Sequence, residues 1–359
     1  MTKVKEKEFR ATFEIKGKAL YGQIPFAIRM MKEILTASKL DDEKRLKEIL
    51  SMTKTRLQDR FLSAGHSAAA LRAMSYKSPI SKFKDTTNGI EYYQNIREME
   101  EHFDEKKEEI ISGLKALSEL LFRKGNVMIS YTASREGLAV LEEEIGSLKE
   151  VLYPERMPQS RCILHCEKKN EGFKTSSKVQ FAAKAGNFID AGEEYNGALQ
   201  ILKVIMSYEY LWINIRVKGG AYGCMSNFNR IGEGYFVSYR DPNLGRTLEI
   251  YDGVPEYLEN FTVSERDMTK YIIGTISNID QPMTPATKGD RSMNLYMNHV
   301  SAEMIRKERE EILTANQDDI RALAGVARAV LANDQICVIG NEAKIEEEKE
   351  LFMTVENLF

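Results

Sequence analysis

The residues best suited to chemistry lie in one short segment, residues 211–223, with the sequence LWINIRVKGGAYG. Gly219 and Gly220 release the chain from helical geometry, so a helix is predicted to end before them and a strand to begin after them. Arg216 then lies in the last helical turn and Tyr222 at the start of the strand, so both side chains can point into one cleft. Arg supplies a fork of donors for a carbonyl group, and Tyr supplies a hydroxyl donor. Together they could hold a substrate main chain or support a developing oxyanion.

The same segment also fits a purely structural interpretation. An arginine near a helix C-terminus is favoured by the helix dipole, and a glycine pair is a common C-cap. Tyr222 would then be a core residue. Lys218 is expected to be simply solvated, because charged side chains are seldom buried without a partner. From these residue types alone, both interpretations stay open.

The rest of the sequence contains no complete catalytic set. None of the four histidines (His66, His102, His165 and His299) lies in H-E-x-x-H or H-x-x-E-H, where two histidines on one helical turn hold zinc beside a carboxylate base. There is also no G-x-S-x-G elbow and no P-loop. His66 follows Gly65 and is predicted to form a structural turn, since a histidine without an orienting partner is rarely catalytic.

The cysteines raise the question of a metal site, because Cys162 and Cys166 form a C-x3-C pair around His165. A structural zinc site needs a second ligand pair at suitable spacing, and none lies nearby. The other two cysteines, Cys224 and Cys337, have no recognisable catalytic context. We therefore expect no metal site in this chain, and reduced thiols in a cytoplasmic protein.

Composition narrows the class of protein. The chain has 359 residues, of which 43% are hydrophobic and 29% charged, which fits a soluble protein of two domains. Its net charge of −3 gives no sign of a nucleic-acid surface. No apolar run approaches the roughly 18 residues of a membrane span, and the charged start MTKVKEKEFR lacks the apolar stretch of a signal peptide.

The pattern of elements predicts two α+β units, residues 1–154 and 174–359, joined by a linker over 155–173 that is rich in turn-forming and charged residues. The predicted strands cover 8–16, 126–131, 175–184, 221–228, 233–240 and 335–339, with helices between them and a last helix from Glu342. A sheet with helices on one face is the expected fold of each unit.

The second unit contains the first as a weak repeat. Strand 8–16 matches 232–240, and helix 42–60 matches 264–278, at an offset near 220. Residues 175–230 have no counterpart, so the first unit is expected to lack its opening strand and helix. An incomplete sheet would expose strand 8–16 as an edge that could drive dimerisation.

The motif RVKGGAYG at 216–223, preceded by LW at 211–212, resembles the C-terminal half of presequence proteases in the pitrilysin/insulinase metallopeptidase family. Similar stretches are DDEKRLKEILSMTKTRLQDR at 41–60, GHSAAALRA at 65–73 and KGD at 288–290. The resemblance covers nearly the whole chain in order.

The resemblance implies four homologous α+β domains of the LuxS/MPP-like type, in two halves that close like a clam shell. The first domain would hold zinc through H-x-x-E-H, outside this chain. The fourth would contribute Arg216 and Tyr222 as catalytic residues, with Gly219 and Gly220 close to the substrate. This chain would be most of the third domain and the whole fourth, inactive without the N-terminal catalytic half and acting on peptides. The alternative is a non-catalytic scaffold subunit with the same fold.

Overall fold

A computed structural model of the protein describes residues 2–5, 8–154 and 163–359. The strands are β1 (Thr2–Lys5), β2 (Glu8–Arg10), β3 (Glu171–Thr175), β4 (Phe181–Asn187), β5 (Gly223–Phe228), β6 (Glu233–Tyr239), β7 (Gln335–Asn341) and β8 (Thr354–Asn357). The α-helices are α1 (Ile24–Thr36), α2 (Glu43–Ser75), α3 (Pro79–Asn88), α4 (Ile90–Glu101), α5 (Phe103–Leu121), α6 (Arg135–Glu150), α7 (Ala198–Tyr208), α8 (Gly245–Asp252), α9 (Val254–Glu259), α10 (Glu265–Ile279), α11 (Pro285–Met297), α12 (Ala302–Thr314), α13 (Gln317–Ala322), α14 (Ala324–Ala332) and α15 (Glu342–Glu347). This confirms the predicted α+β class. No helix of the described ranges is both long and apolar enough to cross a bilayer.

The described residues divide into two compact units. The first contains those within 1–53, 95–163 and 282–300, and the second those within 54–94, 164–281 and 301–359. The division differs from the predicted domains 1–154 and 174–359 in two segments, because residues 54–94 belong to the second unit and residues 282–300 to the first. Several apolar side chains of residues 54–94 are fully buried within the second unit. Among them are Phe61, Ala69 and Ala73, each at 0% exposure.

The second unit is built on a six-stranded mixed sheet with the order β5-β6-β4-β7-β3-β8. β3 runs parallel to both β7 and β8, whereas the other neighbours are antiparallel. The central strands β4 and β7 are buried along almost their whole length. Because successive side chains of a strand point to opposite faces, this burial requires cover on both faces of the sheet.

One face packs on the C-terminal helices. Ala182, Phe236, Ile336 and Val338 share a single apolar core with residues of helices that include α7, α8, α9, α13 and α14. The opposite face meets residues 54–94, since a Cβ built on Gly65 would lie 2.4 Å from the Phe181 ring. The helices of the predicted domain 174–359 thus cover one face of the sheet, as expected, and residues 54–94 add helical cover on the other face.

A buried ion cluster fixes the second helical layer to the sheet. Arg72 of α2 donates to Glu171 of β3 at 2.5 and 2.8 Å and to Asp85 of α3 at 2.6 Å. Tyr76 adds a hydrogen bond to Glu171 at 2.9 Å. All four residues are at most 4% exposed. Burial raises the pKa of Asp85, whereas the charge of Arg72 acts to lower it. The ionised form of Asp85 is therefore favoured by its contact with Arg72.

The first unit is mainly helical. α1 and α6 pack together around Ile24, Ile28, Leu141 and Leu148, and β1 and β2 form a two-stranded antiparallel sheet. Pro25 lies in the first turn of α1, and Ser134 is the N-cap of α6.

Two predicted strands of the first unit are wrong. Of residues 8–16 only Glu8–Arg10 is a strand, and its partner is β1. Residues 126–131 form no strand, and Val127, Met128 and Ile129 are 37–47% exposed. Among the residues that the structure describes, β2 pairs with β1 and no strand pairs with residues 126–131, so the two segments do not join in one sheet.

Three boundaries also differ from the predictions. The predicted linker 155–173 already contains the start of β3, and residues 155–162 lie outside the described ranges. The predicted turn at Gly65 and His66 is part of α2, which has a kink with non-helical dihedral angles at Ala64. The last predicted helix ends at Glu347, and β8 follows it.

Candidate functional site

The candidate site includes a widened helical turn and the start of the strand that follows it. Trp212–Val217 form a π-helix, in which the Lys218 N–H donates to the Ile213 carbonyl at 2.9 Å. Single π-helical turns have one residue more than an α-helical turn, and they occur frequently at functional sites. Strand β5 starts at Gly223. The predicted helix end followed by a strand is therefore confirmed.

Gly219 and Gly220 make the sharp exit from this turn possible. A Cβ on Gly219 would lie 2.5 Å from the Ile215 carbonyl oxygen, and Gly220 has φ +81°, which disfavours other residues. The Asn243 side-chain amide donates to the Gly219 carbonyl at 2.7 Å. These contacts explain both glycines structurally, and their proximity to a substrate remains a prediction.

Arg216 lies between two aromatic rings. Its guanidinium carbon is 4.4 Å from the centroid of Trp212 and 5.1 Å from that of Tyr222, which are cation–π distances. One of its N–H groups also donates to the Tyr222 carbonyl. The structure thus brings together the two residues that the sequence singled out.

Tyr222 is not a core residue, since 64% of it is exposed. Its N–H donates to the carbonyls of Tyr239 at 3.0 Å and Arg240 at 3.2 Å. Its ring stands edge-on to the Tyr239 ring, with centroids 5.7 Å apart. The phenol hydroxyl has no hydrogen-bond partner within the described ranges, so it is available to a ligand.

The neighbouring titratable groups offer no nucleophile. Burial and the charge of Asp241 raise the pKa of the Cys224 thiol to about 12, so it stays protonated at neutral pH. Asp241 is itself buried and accepts hydrogen bonds from Thr247 at 2.7 Å and the Asn243 N–H at 2.9 Å. The Lys218 side chain is exposed, and its ammonium group lies 3.4 Å from the Asn214 side-chain oxygen. The chemistry of this site is therefore limited to donating hydrogen bonds and positive charge.

Sequence reasoning missed the contribution of Tyr239. Its position opposite Gly223 in the β5–β6 ladder could have been found from the hairpin register. His66, predicted to be structural, packs edge-on against Tyr239 at 5.0 Å. Its Nδ1 is buried without a hydrogen-bond partner in the described part of the chain.

The described residues do not fit a metal ion. Within 2–5, 8–154 and 163–359, no three His, Cys, Asp or Glu side chains are grouped so that they could hold one. Cys166, Cys224 and Cys337 are free thiols. Cys162, the first member of the C-x3-C pair, lies outside the described ranges.

Two family models match the chain in succession. Residues 1–99 match the model of the region associated with M16 peptidases of subfamily C, and residues 170–342 match the model described as "PreP C-terminal domain". The matched ranges contain every residue of the candidate site.

Curated relatives extend the match over nearly the whole chain. "Protein HypA" of Clostridium perfringens is 39% identical over 354 residues, which is 99% of this chain and 36% of that protein. "Presequence protease 1, chloroplastic/mitochondrial" of Arabidopsis thaliana is 30% identical over 341 residues, covering 91% of this chain and 31% of that protein. The chain thus spans about a third of the length of these relatives.

Solved structures share the fold at low sequence identity. The M16 peptidase inactive domain of Pseudomonas fluorescens has a TM-score of 0.55 and 13% identity, over 88% of this chain and 74% of that one. Pitrilysin has a TM-score of 0.52 and 12% identity, over 88% of this chain and 33% of that one.

Proposed function

The chain belongs to the presequence-protease group of the M16 peptidases, as their C-terminal region, and we propose that it supplies the half of a peptide-degrading chamber that lacks the metal. In this proposal, Arg216 and Tyr222 bind the peptide main chain opposite the hydrolytic centre of the N-terminal half. The observation that carries the proposal is the placement of Arg216 between Trp212 and an exposed Tyr222.

The proposed roles follow from the donors that each side chain offers. The free hydroxyl of Tyr222 would donate to the oxyanion that develops on the scissile carbonyl, and Arg216 would bind a neighbouring substrate carbonyl. One guanidinium N–H already donates to the Tyr222 carbonyl. Since a guanidinium has five N–H donors, others remain for the substrate. Both contacts would form only when the two halves close, which would couple closure to the reaction.

The zinc ion of such a peptidase would be bound outside the described residues, which do not fit a metal. The proposed partners are therefore the N-terminal catalytic half and peptide substrates, and the chain alone is proposed to be inactive. The proposed compartment is the cytoplasm, which agrees with free thiols at Cys166, Cys224 and Cys337.

Two substitutions in the intact peptidase test the assignment. Tyr222→Phe should lower kcat by about 10²–10³-fold, the usual effect of removing one oxyanion donor. Arg216→Ala should lower kcat/KM through both substrate positioning and rate. Lys218→Ala is the matched control, because Lys218 lies two residues after Arg216 and its exposed ammonium group is 3.4 Å from the Asn214 side-chain oxygen.

Zinc content and circular dichroism should be unchanged in all three variants. Near-normal peptide cleavage by both Tyr222→Phe and Arg216→Ala would reject the assignment. The exit of the π-helix would then be purely structural, as in the scaffold alternative.

A further inference from the structure

The kink in α2 lies against strand β6, next to the candidate site. At Ala64 the dihedral angles φ −136° and ψ 37° depart from helical values. The carbonyl of the preceding Ser63 accepts a hydrogen bond from the Tyr239 hydroxyl at 3.1 Å. A side chain that inserts at a helical carbonyl is a recognised cause of a kink. The kink and Tyr239 are therefore joined directly.

Two ring contacts hold Tyr239 in place, one from the kinked segment of α2 and one from strand β4. The His66 ring stands edge-on to it at 5.0 Å and 84°, and the Phe181 ring lies 5.6 Å away. Gly65 allows α2 to approach this closely, since a Cβ there would lie 2.4 Å from Phe181. Tyr239 thus has its hydroxyl fixed by one residue and its ring packed by two others.

Tyr239 in turn contacts Tyr222 in two ways. Its carbonyl accepts from the Tyr222 N–H at 3.0 Å, and the two rings are 5.7 Å apart at an angle of 66°. An exposed side chain such as Tyr222 keeps much of its rotamer freedom unless a neighbour restricts it. On this side of Tyr222, the neighbouring ring is that of Tyr239.

We propose that Tyr239 is a positioning residue for Tyr222, and that the α2 kink at residues 63–66 sets the position of Tyr239. This inference rests on the proposed function, in which the Tyr222 hydroxyl contacts the substrate. Tyr239 itself would not touch the peptide, and it would act by fixing the ring of Tyr222 before the reaction. Such fixing matters because a displacement of about 1 Å can cost about 10²-fold in rate.

The test compares two substitutions of Tyr239 in the intact peptidase. Tyr239→Phe removes the hydrogen bond to Ser63 but keeps the ring, and it should lower kcat about 2- to 10-fold, the effect of one hydrogen bond. Tyr239→Leu also removes the ring and should lower kcat about 10- to 100-fold. KM should change little in either variant.

Tyr235→Phe is the matched control, because Tyr235 lies on the same face of β6, four residues before Tyr239. Its kcat should equal that of the unmodified enzyme. Adding Tyr239→Phe to Tyr222→Phe should lower kcat hardly further, since the hydroxyl that Tyr239 positions is already gone. A merely structural role would instead lower the folded fraction equally in both backgrounds.

The outcomes separate this inference from the proposed function. If Tyr222→Phe impairs cleavage but both Tyr239 variants keep normal kcat, the positioning role is wrong and the proposed function stands. Additive effects of Tyr239→Phe and Tyr222→Phe would also overturn the positioning role. If Tyr222→Phe and Arg216→Ala both cleave normally, the proposed function fails, and the positioning role fails with it.

Discussion

The guanidinium carbon of Arg216 lies 4.4 Å from the ring centroid of Trp212, the single tryptophan of the chain. Arg216 forms no ion pair with a carboxylate among the residues that the structure describes. The aromatic rings and the Tyr222 carbonyl therefore fix this cation in place of an acidic partner. A cation held by rings keeps its charge available to a substrate carbonyl.

We expect Trp212→Leu to lower kcat/KM of the intact peptidase about 2- to 5-fold, because an exposed cation–π contact contributes about 0.5–1 kcal/mol. Trp212→Phe should have a smaller effect, since it keeps an aromatic face. Steady-state cleavage of a fluorogenic peptide measures both.

The fluorescence emission of Trp212 tests its contact with Arg216 directly. The emission spectrum should change in Arg216→Ala and stay unchanged in Lys218→Ala. Identical emission spectra in all three proteins would contradict the contact.

Local signals in the sequence predicted the parts of the fold that depend on neighbouring residues. The glycines 219 and 220 predicted the helix end before β5. A helix cap is equally local, since Ser264 accepts from the Asp267 N–H at 3.2 Å at the start of α10. At the start of α2, Asp42 accepts from the Arg45 N–H at 3.0 Å. Caps and glycine turns are specified within a few residues, so one sequence suffices to find them.

Contacts between distant parts of the chain could not be predicted in this way. Nothing near Arg72 indicates that its partner is Glu171, 99 residues later. The same holds for the hydrogen bond from Tyr239 to Ser63, 176 residues apart. These contacts join residues 54–94 to the second unit, which accounts for one of the two segments in which the predicted domains and the compact units differ.

Arg72→Met should destabilise the chain by about 3–5 kcal/mol, because it leaves the buried carboxylates of Glu171 and Asp85 without their cation. The free energy of unfolding, measured with urea, is the readout. The control is Arg45→Met, since Arg45 and Glu48 form an exposed pair at 3.1 Å that should contribute at most about 1 kcal/mol. Equal losses of unfolding free energy in the two variants would show that the buried cluster stabilises the chain no more than the exposed pair does.

Gly65→Ala should destabilise the chain by about 1–3 kcal/mol, because the new Cβ would overlap the Phe181 ring at 2.4 Å. Gly113→Ala in α5 is the matched control, since nothing lies within 4 Å of its Cβ position. In that exposed helix alanine should stabilise by up to about 1 kcal/mol. Thermal unfolding of the two variants should therefore shift in opposite directions, and a stabilised Gly65→Ala would contradict the close packing of α2 on β4.

Stability should also depend on pH through His66. Burial alone lowers the pKa of His66 below its ordinary value of 6.5. Below about pH 6.5 the unfolded chain therefore binds more protons at this site than the folded chain does. The stabilising contribution of the neutral ring is fully present above that pH, and it is lost as the pH falls towards the folded pKa.

His66→Phe keeps a ring against Tyr239 and Phe181 but removes both the titration and the unpartnered Nδ1. His102, His165 and His299 are present in both proteins, so they contribute equally to the two curves. The free energy of unfolding of His66→Phe, relative to the unmodified chain, should therefore rise as the pH falls from 7.5 to 5. Urea unfolding at several pH values measures this difference. A difference that stays constant over the range would show that His66 is as solvated in the folded chain as in the unfolded one.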